Sequence, residues 1–201
     1  MAVDVSRFEK RQIWDVVTRI WHWLLAIVVT TVWMLGEFMS FETIQWHFYL
    51  GYGVLALLAF RLLWGLIGPE PVRFKSFHLS PASVTGYLSH FFSRSFSGEA
   101  GHSPLGALSV VLMLAALAGQ AVTGLFIESE DFFEYGPLAQ YVSDDVIRLM
   151  SAWHHRLAKV VLLLVGFHLT AIAYYRVWKR ENLVVPMITG WKWVKRNNKT
   201  D

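Results

Sequence analysis

The chain has 201 residues, 55% of them hydrophobic, with ten tryptophans and a formal net charge of only +3. Its 16% charged residues fall well below the roughly 25% of a soluble domain, and the basic ones flank hydrophobic runs, so a membrane protein is expected and nothing invokes nucleic acid. The absence of cysteine excludes disulfides, Cys-ligated iron–sulfur clusters and the covalent attachment of c-type haem.

The N-terminal stretch MAVDVSRFEKRQIWDVVTR carries both charge signs and no cleavage-site pattern. It reads as the lead-in to a retained transmembrane helix rather than a signal peptide. A bilayer core needs about 20 apolar residues to be crossed by a helix. Four segments satisfy this: residues 13–38, 44–67, 104–127 and 147–178. The expected fold is therefore an all-α integral membrane protein, a single domain over residues 1–201 built as a four-transmembrane-helix bundle.

Charge sets the expected orientation. Arg7, Lys10, Arg11 and Arg19 precede or open the first span. Arg61 lies just before the second loop, residues 68–103, which carries Arg73, Lys75 and Arg94. The tail holds Arg176, Lys179, Arg180, Lys192, Lys195, Arg196 and Lys199. The first loop has only Glu37 and Glu42, and the third has Glu128, Glu130, Asp131, Glu134, Asp144 and Asp145 against Arg148. Both termini are thus expected in the cytoplasm, with the protein multi-pass in a bacterial inner membrane. Within the long cytoplasmic loop, Ser80-Pro81 predicts a helix start, and PASVTGYLSHFF a short helix along the interface. The tail motif GWKWVKR mixes Trp with Lys and Arg, as a headgroup anchor does.

Five histidines, His22, His47, His154, His155 and His168, fall inside these spans. His154 and His168 are 14 residues apart on the last one. That spacing returns to within about 40° of the same helix face and spans about 21 Å. By depth, His22 and His168 lie toward the cytoplasm, His47 and His154 toward the outer side. Two imidazoles at each depth can grip one haem, giving a six-coordinate iron suited to electron transfer. The expectation is two haem b groups, the inner iron held by His22 and His168, the outer by His47 and His154. Interhelical hydrogen bonding explains a lone intramembrane histidine as well, but four that pair by depth are harder to account for in that way. His155 points about 140° away from His168 and is rejected as a ligand. His78, His90 and His102 receive no metal role, though His102 opens the third span near the inner site.

Charges and glycines inside the spans carry two readings each. Arg19 and Arg61 can serve the propionates of the inner haem, and Arg156 or Lys159 those of the outer one; snorkelling to headgroups is the plain alternative. Gly51, Gly53, Gly119, Gly124 and Gly166 suit close helix packing. Gly51, one turn from His47, also suits room for a porphyrin face.

The segments TRIWHWLL, WHFYLGYGVLALLAFRLLWGLIGP, GHSPLGAL, AWHHRLAKVVLLLVGFH and ENLVVPMITG resemble the prokaryotic cytochrome b561 family, which includes b-type cytochrome subunits of nickel–iron hydrogenases. The resemblance covers residues 13–190 and implies a four-helix cytochrome with two b haems that exchanges electrons with the quinone pool. It puts the ligands on the same four histidines, His22, His47, His154 and His168. The leading reading is a quinol- or quinone-linked electron-transfer oxidoreductase subunit, whose expected partner on the outer face is a c-type cytochrome or another redox enzyme subunit. The acidic third loop suits a basic cytochrome by charge complementarity. Two alternatives stand beside this: a membrane anchor of a hydrogenase or formate dehydrogenase, and, from another class, a haem-free histidine proton relay. Between His154 and His168 the chain is apolar after Lys159, which favours an insulated cofactor over a water path.

Overall fold

The computed structural model describes residues 8–94, 101–129 and 134–196. Of the charges weighed above, Arg7, Glu130, Asp131 and Lys199 lie outside the described residues. Strand β1 (Phe8–Gln12) is followed by helix α1 (Val16–Glu37) and α2 (Ile44–Ile67). Then come α3 (Pro81–Ser89) and α4 (Pro104–Gly124). Two short strands follow, β2 (Glu128–Ser129) and β3 (Glu134–Tyr135). The chain continues with α5 (Asp144–Val177), α6 (Val184–Thr189) and β4 (Trp191–Lys195). Helices α1, α2, α4 and α5 are each long and apolar enough to cross a membrane.

The helix ends explain small shifts from the hydropathy reading. Asp15 caps α1 by accepting from the Thr18 N–H at 3.0 Å and the Thr18 hydroxyl at 2.5 Å, so the helix opens at Val16 rather than Ile13. Ile13 instead donates its N–H to the Gly190 carbonyl at 2.8 Å and is buried. Ser80 caps α3 by accepting from the Ser83 N–H at 3.1 Å, with Pro81 in the first turn, as its sequence predicts. Ser103 accepts from the Gly106 N–H at 3.2 Å and starts α4, again ahead of a proline. Helix α4 stops at Gly124, where the N–H groups of Leu125 and Phe126 turn back to the carbonyls three residues earlier. Helix α5 begins at Asp144, three residues earlier than hydropathy suggests, because Asp144 and Asp145 are polar yet favourable in a first turn.

The chain forms two compact units. One draws on Met1–Ile20, Leu63–Val110 and Phe167–Asp201, the other on Trp21–Leu62 and Val111–Gly166. In the first, β1 pairs antiparallel with β4, Phe8 opposite Lys195 and Gln12 opposite Trp191. The GWKWVKR tail is therefore a strand with a partner from the other end of the chain. Gly190 ends α6 at φ 86°, a left-handed turn that glycine adopts without strain. Helix α3 and the residues after it dock on the end of α5. The Tyr174 hydroxyl donates to the Phe91 carbonyl at 2.9 Å, Trp178 Nε1 donates to the Phe92 carbonyl at 3.0 Å, and the Tyr87 and Tyr175 hydroxyls meet. Lys179 is buried with its ammonium 5.8 Å from the rings of Tyr87, Phe91 and Tyr175. Beside it, Lys192 and Glu181 form an ion pair at 2.6 Å, their side chains only 10% and 2% exposed.

In the second unit, Trp21 Nε1 donates to the Leu57 carbonyl at 2.8 Å and ties α1 to α2. Strands β2 and β3 pair antiparallel, and the Gly136 N–H donates to the Ile127 carbonyl at 2.7 Å. A Cβ at Gly136 would collide with the backbone of Leu125, so this close approach requires glycine.

Candidate haem site

Helix α2 places His47 in its first turns, and α5 places His154 in its third turn. Both rings are half-buried in the second unit, edge to face, with centres 6.2 Å apart. Two imidazoles bound on opposite sides of one metal ion have ring centres about 6 Å apart, taking metal–nitrogen bonds of about 2 Å.

The hydrogen bonds of the two rings bear on their chemistry. His47 Nδ1 lies 3.1 Å from the Val32 carbonyl oxygen, and His154 Nδ1 lies 2.9 Å from that of Gln120. A carbonyl only accepts, so each Nδ1 carries the proton and donates. In a neutral imidazole this leaves Nε2 as the lone-pair nitrogen, the atom a metal takes. Ligating histidines commonly hold their second nitrogen in this way against a carbonyl or carboxylate. The Thr123 hydroxyl stands 3.3 Å from His154 Nδ1 and donates to the Gly119 and Gln120 carbonyls at 2.8 and 2.9 Å. The residues present thus fit a non-covalently held iron porphyrin.

Other candidates fall as follows. His22, half-buried on α1, belongs to the second unit, and its ring centre is 5.3 Å from that of Trp23. His168, half-buried on α5, belongs to the first unit. Arg61 is 4% exposed on α2, its guanidinium 5.7 Å from the centre of the Trp21 ring. Burial of that cation is unlike the snorkelling alternative. Arg19 donates to the Ile188 carbonyl in the first unit. Lys159 is exposed on α5, and Arg156, also exposed, lies 5.6 Å over the Trp153 ring. A Cβ at Gly51 would meet nothing within 4 Å, so there is open space one turn from His47. His155 turns its Nδ1 to the Ser151 carbonyl of its own helix at 2.8 Å and is exposed. His102 sits between Trp14 and Phe77, its ring centre 4.8 and 5.1 Å from theirs.

Val32, Gln120 and Thr123 escaped sequence reasoning, and so did Gly36, whose added Cβ would stand 3.0 Å from His47 Cε1. The available signal was a glycine in the last turn of an apolar span, which Gly36 and Gly124 share.

Four apolar helices and a pair of imidazoles able to take one metal ion are what a b-type membrane cytochrome requires. The profile of the family described as "Prokaryotic cytochrome b561" matches residues 13–190, and the chain belongs to that family. It is also similar to a "Probable Ni/Fe-hydrogenase B-type cytochrome subunit" of Azotobacter chroococcum mcd 1, at 23% identity over 91% of this chain and 88% of the relative. No solved structure matches the chain at a significant level. The protein is thus a multi-pass b-type membrane cytochrome, and haem b is its implied cofactor.

Proposed function

We propose that residues 1–201 form a single cytochrome b domain that holds two haem b groups and passes electrons between the quinone pool and a redox partner on the outer face. The observation that carries this reading is the His47–His154 pair, 6.2 Å apart with both Nδ1 atoms on helix carbonyls. His47 and His154 are the ligands of the outer haem, His22 and His168 those of the inner one. Bound haem supplies an iron centre that takes and gives one electron. The chain holds the His47 and His154 imidazoles each in one tautomer through a helix carbonyl. Arg61, Arg19 and Lys159 are the cations available to propionates, and Gly51 leaves room beside His47 for a flat ring.

Lys and Arg distribution supports cytoplasmic termini in a bacterial inner membrane. The loop between α4 and α5 then faces outward with Glu128, Glu134, Asp144 and Asp145, a surface suited to a basic c-type cytochrome. Similarity to the probable hydrogenase cytochrome subunit of Azotobacter favours a second partner, the catalytic part of a hydrogenase, with this chain as its membrane anchor.

A reduced-minus-oxidised spectrum of detergent-purified protein, with haem quantified per chain, tests the reading. About two b haems per chain are expected. One haem means that one histidine pair is misassigned, and none returns the function to a histidine proton relay.

A further inference from the structure

Two interhelical contacts in the second unit share one local design. Val32 and Gly36 lie four residues apart near the C-terminal end of α1, and Gln120 and Gly124 lie four apart at the end of α4. In each case the carbonyl of the first residue accepts from the Nδ1 of a histidine on the next long helix, Val32 from His47 at 3.1 Å and Gln120 from His154 at 2.9 Å. In each case a Cβ added to the glycine would stand 3.0 Å from that ring's Cε1 and 3.4 Å from its Nδ1. The same four-residue step and the same distances recur on two unrelated stretches of sequence.

The physical basis is the geometry of the helix. A helical carbonyl at position i points toward the N–H of residue i+4. The side chain of residue i+4 therefore flanks that carbonyl. Without a Cβ there, the second lone pair of the oxygen is open to a donor from a neighbouring helix. Neither Gly36 nor Gly124 adopts a positive φ, so a left-handed helix end does not call for glycine at either place.

We propose that Gly36 and Gly124 are positioning residues, each clearing one helix carbonyl so that the His47 or His154 imidazole is held as the Nδ1–H tautomer with Nε2 left for iron. This rests on the reading of His47 and His154 as the two ligands of one haem. Gly36 and Gly124 seat the ligands and do not touch iron. Their effect is on the plane and tautomer of each ring, and so on the electronic state of that one haem.

The test uses the full haem-loaded chain in detergent, with G36A, G124A and, as a control, G86A on α3, where a Cβ would meet nothing within 4 Å. The readouts are haem per chain, the low-temperature EPR line of each ferric haem, which reports the relative orientation of its two imidazole planes, and the midpoint potential of each haem. Alanine at position 36 and alanine at position 124 are expected to shift the EPR line and potential of one and the same haem, or to lose that haem. The other haem keeps its wild-type signal, and G86A changes neither. Wild-type lines and potentials in both G36A and G124A would overturn the proposal. H47A and H154A separate the two levels. If each removes one haem while the glycine variants leave it untouched, the ligand reading stands and the seating fails. If neither histidine variant removes a haem, the ligand reading itself has failed. Should the alanine variants not accumulate, hyperfine spectroscopy of wild-type protein with labelled histidine decides. A slowly exchanging Nδ1 proton on both ligands of that haem supports the seat, and rapid exchange overturns it.

Discussion

The His47 and His154 rings stand edge to face with centres 6.2 Å apart, although 107 residues separate them in the chain. Each is turned by a carbonyl of a different helix, α1 for His47 and α4 for His154. The span without a membrane histidine, α4, thus shapes the site as much as those that supply one.

His47→Ala and His154→Ala should each remove the same single haem, taking the count from about two per chain to about one. His22→Ala and His168→Ala should remove the other. Pyridine haemochrome quantification counts the haem left in each variant, and the EPR line of the remaining ferric haem shows which one it is. Loss of different haems in His47→Ala and His154→Ala, or no loss, would break the pairing.

Arg61 is a buried cation, and a charge inside a membrane costs about 2.5–3.5 kcal/mol on insertion scales unless it is compensated. Arg61→Gln removes a positive charge that disfavours ferric iron. The midpoint potential of one haem should therefore fall, with about 59 mV for each tenfold change in a one-electron equilibrium. Redox titration followed at the α band measures it. An unchanged pair of potentials would return Arg61 to a packing role with Trp21.

Breaking the Glu181–Lys192 pair from one side strands a buried charge. Removing one partner of such a pair costs about 3–5 kcal/mol, whereas replacing both by apolar residues is often neutral. Lys192→Met should lower the melting temperature of the detergent-purified protein clearly. The double variant Glu181→Leu with Lys192→Met should recover most of that loss. Nanoscale fluorimetry of the ten tryptophans reports both.

Reduction of a basic c-type cytochrome at the outer face should slow as salt rises, since exposed charges interact only within a Debye length of about 8 Å at physiological ionic strength. Exchanging exposed Asp144 and Asp145 for asparagine should weaken that salt dependence. Stopped-flow rates over a range of ionic strength decide. A rate indifferent to salt would favour a partner held by an apolar interface.

Much of this molecule was legible one segment at a time. The lengths and mean hydropathy of the four spans are properties of consecutive residues, so they place α1, α2, α4 and α5 to within a few positions. The Ser80-Pro81 signal is equally local, because a cap acts within one turn. Helix arithmetic on His154 and His168 separated them from His155, which the structure leaves exposed on its own helix. The ends drifted where a polar residue belongs to a helix, as at Asp144, or an apolar one belongs elsewhere, as at Ile13.

Contacts between segments were not legible. Helices apolar on nearly every side do not reveal by sequence which face turns to a neighbour, so nothing announced that Val32 and Gln120 would offer their carbonyls or that Gly36 would stand against His47. Nor did any local pattern tie Phe8–Gln12 to Trp191–Lys195, since strand pairing across the length of a chain depends on where the intervening helices return it. The sequence alone determined the spans and the spacing of the histidines along them, because hydrophobic length and helical rise are local. The tertiary structure alone decided which carbonyl fixes each imidazole and that Glu181 meets Lys192, because rotation and pairing of elements are set by packing between distant residues.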